Sequence, residues 1–218
     1  MNRYAKVNTF TRAVLLFAVL TMTSISRKES VAKNMSNPYE QSHSSLLQAL
    51  EAPGRSNEIT DREDIYGWLI GGWEATVYDY GEDGTASESS GEWHFGWVLE
   101  GRAIQDVWIA PPRSQRSGKT LSKQNNRYGT SLRVYDREFA TWRVTWFNPV
   151  TGARNDLIGR RQGADIVQEG IGPDGRKIRW LFTDITPTSF IWRGESLEPD
   201  GKTWRLEAEF RARRKINK

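Results

Sequence analysis

The chain has no cysteine. That excludes disulfides, thiolate metal ligands and a cysteine nucleophile, and it leaves the redox compartment open. Histidine occurs only at His43 and His94 in 218 residues, too few for a histidine-built zinc site, so no metal is expected. No apolar run is long enough to span a bilayer; the run from Ala13 to Met22 falls well short of a membrane helix. A glycine-rich phosphate loop, a Gly-x-Ser-x-Gly elbow and paired metal-ligand spacings are all missing. Charge of one sign is scarce too. The net +4 comes from residues 1–34, where Arg3, Lys6, Arg12, Arg27, Lys28 and Lys33 face Glu29 alone. The rest is near neutral, so neither nucleic acid nor a membrane is an expected partner. The basic tail Arg211, Arg213, Arg214, Lys215 and Lys218 reads as a solvated strand end.

Aromatics are what the chain has in quantity. Ten tryptophans accompany eight phenylalanines and seven tyrosines, and nine of the tryptophans fall between Gly71 and Arg213. Mean hydropathy is low, at −0.66. Each aromatic buries roughly 150–250 Å², which compensates for the shortage of aliphatic residues. Along the same stretch, period-2 alternation recurs between turn signals, which predicts strands. Ten are expected, near 73–80, 91–99, 102–109, 130–136, 141–147, 155–161, 164–170, 176–184, 188–197 and 203–213. Glu100-Gly101 and Gln162-Gly163 suit two-residue hairpins, and Pro173-Asp174-Gly175 and Pro199-Asp200-Gly201 suit longer turns. The last strand alternates cleanly: Trp204, Leu206, Ala208, Phe210 and Ala212 on one face, Arg205, Glu207, Glu209, Arg211 and Arg213 on the other. One covered face per strand and short links predict an all-β, antiparallel up-and-down barrel of about ten strands, since closure removes exposed edges.

Three segments are expected: a signal-like or upstream extension over 1–34, a polar lead-in over 35–65, and the barrel over 66–214. A basic start followed by Ala13 to Met22 resembles a secretory signal, with Ser24-Ile25-Ser26 as a poor cleavage site. Export follows if residues 1–26 are such a signal. The charge imbalance ends before Met35, which favours a start there and a cytoplasmic protein. In the lead-in, Ser44 is a candidate cap for a short helix to Glu51, and a second helix is expected from Asp61 to Leu69 with Ile65, Trp68 and Leu69 on one side. The long loop Ala110 to Tyr128 reads as a solvated segment able to cover a barrel mouth.

Gly71-x-Trp73, following a short helical lead-in, resembles the opening of the lipocalins and their calycin relatives. The resemblance implies that Gly71 and Trp73 are structural. Trp73 would close one barrel end against a basic residue of the final strand, Arg211 or Arg213, by stacking on the indole. Ten strands point toward the fatty-acid-binding and nitrobindin-like branch. The stretches Gly91 to Arg102 and Phe182 to Pro187 also resemble an uncharacterised bacterial lipocalin-like family, which implies a fold and no activity. Nitrobindin-like proteins hold haem through a late histidine. Nothing after His94 supplies one, so no cofactor is assigned.

The hairpin around Glu100-Gly101 holds the candidate site. Its register pairs Leu99 with Arg102, Trp97 with Ile104, Phe95 with Asp106 and Trp93 with Trp108 on one face. Val98 with Ala103, Gly96 with Gln105 and His94 with Val107 make the other. Both faces are largely apolar, so the inward one is undecided. Either puts a polar pair in apolar surroundings, as a ligand cavity would. The ligand-binding candidates are therefore His94, Trp97, Arg102, Gln105, Asp106, Trp108, Trp146 and Trp180, with no catalytic residue assigned. A hairpin over 155–170 is expected to pair Arg160 with Asp165. The function this supports is binding of a small, partly apolar molecule inside a monomeric or homodimeric barrel. The alternatives are an enzyme using His94 or Asp106 as acid–base on a small aromatic or carboxylic substrate, and a carbohydrate-binding module, which needs exposed tryptophan.

Overall fold

The computed structural model describes residues 45–118, 121–123 and 126–215. The segment expected over 1–34 and the Ser44 cap lie outside them. The chain divides into two compact units, Met1–Ala49 and Leu50–Lys218. A short helix covers 45–50, and the barrel lies wholly in the second unit.

Ten strands form the barrel: β1 (Gly71–Tyr80), β2 (Ala86–Val98), β3 (Ala103–Ala110), β4 (Arg127–Asp136), β5 (Thr141–Asn148), β6 (Ala153–Gln162), β7 (Asp165–Ile171), β8 (Lys177–Thr183), β9 (Ser189–Leu197) and β10 (Trp204–Arg214). Each pairs antiparallel with the next, and β10 closes on β1, so the sheet has no edge. The β2–β3 register is the expected one, from Trp93 against Trp108 to Val98 against Ala103. The turn spans 99–102, with Leu99 and Glu100 left-handed ahead of Gly101. Strand β2 starts at Ala86, earlier than expected, because Ser87 to Ser90 pair with β1 through backbone groups that need no apolar side chain. The β6–β7 hairpin turns through Gly163 and Ala164, so Gln162 meets Asp165 and Arg160 meets Val167.

Two expectations fail for local reasons. Residues 61–69 are not a helix; only Gly67–Leu69 makes a 3-10 turn. The Asp64 carboxylate accepts the backbone N–H groups of Tyr66 and Gly67, a local bond that competes with helical pairing. In β10 the alternation reverses at a bulge between Leu206 and Ala208. Beyond it Ala208, Phe210 and Ala212 face inward. Before it Trp204 faces outward, where the Arg179 guanidinium lies over its ring at 4.2 Å from the centroid.

The lead-in closes one barrel end. Ile59, Ile65, Tyr66 and Leu69 are buried with Trp73, Trp142, Phe182 and Phe190. Indole N–H groups fix this plug: Trp73 donates to Leu69 O at 2.7 Å, Trp68 to Ile65 O at 2.9 Å and Trp142 to Glu63 O at 2.8 Å. The basic residue over Trp73 is Arg214, 4.1 Å from the ring centroid. Arg211 and Arg213 miss that place because the β1–β10 register sets Trp73 opposite Arg214. Arg214 also donates to the carbonyls of Trp68, Ile70 and Pro187. Arg211 instead stacks on Tyr78 and pairs with Glu209.

Candidate functional site

The closed end fills with plug and aromatic residues, so open volume is left toward the other end. There a cavity of about 260 Å³ is lined by Trp93, Trp108, Trp146, Trp180, Trp192 and Phe210, with Ala208 and Ser131 between them. Asp79, Arg127, Arg133 and Glu207 are its charged members. Five of these six aromatic side chains, all but Trp146, form one connected set of ring contacts. Phe210 stacks on Trp192 at 4.3 Å and on Trp108 at 4.5 Å, and Trp180 meets Trp192 at 5.6 Å. Two glycines let indoles lie against the strands: a Cβ on Gly91 would come within 2.4 Å of Trp108, and one on Gly129 within 2.4 Å of Trp146.

Beside the cavity lies a buried ion pair, of which Arg133 reaches the lining. Arg133 donates to Asp106, and both side chains are at most 1% exposed. The other Asp106 oxygen accepts the Ser131 N–H at 3.1 Å. The Arg133 guanidinium sits 5.3 Å from the Tyr66 ring centroid and 5.4 Å from that of Phe95. Burial pushes the Tyr66 hydroxyl up to about 12, so it stays protonated and accepts from Gln168 Nε2 at 2.9 Å. Toward the mouth, Arg127 and Asp79 pair at 2.6 Å across the span between β4 and β1. Glu207 accepts from Arg205 at 2.7 Å and from Ser196 Oγ at 2.8 Å.

The inward face of the hairpin is therefore the one with Trp93, Phe95, Trp97, Ile104, Asp106 and Trp108. Of the candidates, the cavity gathers Trp108, Trp146 and Trp180, with Asp106 held against its Arg133. Trp97 is buried in the aromatic core and does not line the cavity. His94 and Gln105 lie on the outer face, because alternation sends them opposite the aromatics. Gln105 donates to Thr130 Oγ1 at 3.1 Å. Arg102 sits in the 99–102 turn, pairing outside with Glu58 and Glu100.

His94 belongs to an external cluster. Its Nε2 lies 3.1 Å from Glu92 and 3.1 Å from Arg113. Glu92 also accepts the Arg113 backbone N–H at 2.8 Å and Nε at 2.7 Å. The Arg113 side-chain bond holds the Glu92 carboxyl down at about 2. This cluster fastens the start of the long loop to the outer wall of β2, and Gln115 adds a bond to Ser90. Leu121 lies nearer the mouth, beside Asp79 and Arg127.

Arg133, Trp93, Trp192, Phe210, Arg127, Asp79 and Glu207 were not anticipated at the site. Arg133 carried a misleading signal, since hydropathy favours Leu132 and Val134 as the inward pair. Val134 is in fact 40% exposed.

No protein-family model matches the chain, and no curated protein matches it. Among solved structures, the chain is similar to an S-type phycobiliprotein lyase from Guillardia theta, at 10% identity and a TM-score of 0.45, over 69% of this chain and 90% of that one. The ten-stranded closure rests on this chain's own strand pairing.

Proposed function

We propose that the chain is a calycin-like barrel that binds a small, partly apolar molecule in its interior. The observation that carries this reading is the cavity of about 260 Å³, walled by six aromatic side chains beside a buried Arg133–Asp106 pair. An apolar cavity of about 150 Å³ accommodates benzene, so this volume suits a ligand of one or two rings. Convergent polar groups in an otherwise apolar concavity are what small-molecule sites have in common. A buried ion pair is weak support for stability, because apolar replacements often serve as well. Retention for binding accounts for its position.

The other readings have less behind them. Catalysis by His94 meets a side chain outside the barrel, and Asp106 is engaged by Arg133 and the Ser131 N–H. Sugar stacking needs exposed indoles, and no tryptophan is among the exposed large hydrophobic residues. The test is titration with naphthalene, followed by tryptophan emission. One-to-one saturable quenching is expected. Linear, non-saturating quenching would remove the reading.

A further inference from the structure

The charges around the cavity are already matched. Arg133 faces Asp106, Arg127 faces Asp79, and Glu207 faces Arg205. An ionised ligand would bring an unmatched charge to an apolar wall, or would strand the carboxylate it displaced. Hydrogen-bonding capacity is not matched. Trp93 Nε1, Trp108 Nε1 and Arg133 Nε are buried and have no hydrogen-bond partner among the described residues. All three side chains line the cavity. They are contiguous through rings: Trp108 is 5.0 Å from Trp93, Trp93 is 5.0 Å from Phe95, and Arg133 lies over Phe95. Each of these three groups is a donor. The two buried acceptors without partners, Asn155 Oδ1 and Gln168 Oε1, belong to residues outside the lining. A buried donor left unmade costs about 1–3 kcal/mol.

From this pattern we infer that the interior site takes an uncharged aromatic carbonyl compound, one or two rings bearing a ketone, aldehyde or amide oxygen, and discriminates against the matching carboxylate. The inference rests on the ligand-binding reading above. The rings lie among Trp146, Trp180, Trp192 and Phe210, and the oxygen accepts from the donor set of Trp93, Trp108 and Arg133.

Three probes of one shape separate the possibilities: naphthalene, 2-acetylnaphthalene and 2-naphthoate, each titrated into the full chain by calorimetry. 2-Acetylnaphthalene should bind about tenfold tighter than naphthalene, the worth of one or two net hydrogen bonds. 2-Naphthoate should bind at least about tenfold more weakly than the ketone. Trp108→Phe and Trp93→Phe keep a ring and remove an N–H, so each should shrink the ratio of ketone to naphthalene affinity, whatever the altered wall does to the affinity for naphthalene itself. Equal affinity for naphthalene and the ketone would overturn the inference, because the donors would then be met within the wall. So would 2-naphthoate binding tightest, with the Arg127–Asp79 pair opening to receive an anion. If none of the three binds, the binding reading itself fails. If naphthalene alone binds, that reading stands and this one does not.

Discussion

Removing Asp106 should damage the fold, and removing Arg133 as well should largely repair it. Both side chains are buried, and Arg133 donates to Asp106. Asp106→Leu strands the guanidinium, and breaking a buried pair from one side costs about 3–5 kcal/mol. The same substitution removes the acceptor of the Ser131 N–H, worth a further 1–3 kcal/mol or so. Adding Arg133→Met takes the stranded charge away. Apolar replacement of a whole buried pair is neutral or stabilising by about 1–4 kcal/mol. The Ser131 cost is common to both variants and cancels between them. The double variant should therefore be at least about 3 kcal/mol more stable than Asp106→Leu, and within about 3 kcal/mol of the unsubstituted protein, against which the Ser131 cost and the apolar gain oppose each other. Urea unfolding followed by tryptophan emission measures both. If Arg133→Met destabilises the Asp106→Leu background further, the pair is a packing element, and the argument that it is kept for binding falls.

Trp73→Ala should cost roughly 3–5 kcal/mol, since the ring is fully buried between Phe190 at 4.8 Å and Arg214 at 4.1 Å. A cost below about 1 kcal/mol in urea would contradict the closed-end account. Glu92 is held at about 2, below its ordinary 4.5, so its contribution is present above about pH 4.5 and is lost as pH falls toward 2. With Arg113 60% exposed, solvent screening cuts that contribution to about 1–2 kcal/mol. Acid titration of Glu92→Gln should show a shallower loss across that window, and an unchanged profile would argue against Glu92 fastening the loop to β2. A chain starting at Met35 should keep the melting temperature of the full chain; a clear drop would tie residues 1–34 to the fold.

Much of the fold was legible because strand count and hairpin register depend on local alternation and turn chemistry. The β2–β3 pairing followed from Glu100-Gly101 alone. Which face of that hairpin points inward was not legible. Val98, Ala103 and Val107 are as apolar in kind as Trp93, Phe95 and Trp97, and only closure of the barrel decides between them. In β4, hydropathy favoured Leu132 and Val134 over Ser131 and Arg133 for the interior, and pairing with Asp106 reversed that. In β10, one extra residue at the bulge turned Trp204 outward, which no alternation pattern can register. Arg214 escaped notice at Trp73 because the contact depends on the pairing of the first strand with the last. The cavity members, drawn from eight strands, share no sequence spacing, so only three-dimensional closure gathers them.

The central claim is that binding occurs inside the barrel, and a variant that fills the interior tests it most directly. Ala208 lines the cavity from β10, and Ala208→Phe adds a ring where space exists, so the overpacking cost of about 1–3 kcal/mol is an upper bound. The account predicts a folded, cooperatively unfolding protein that has lost saturable naphthalene quenching. Undiminished one-to-one binding by Ala208→Phe would place the ligand elsewhere and contradict the account.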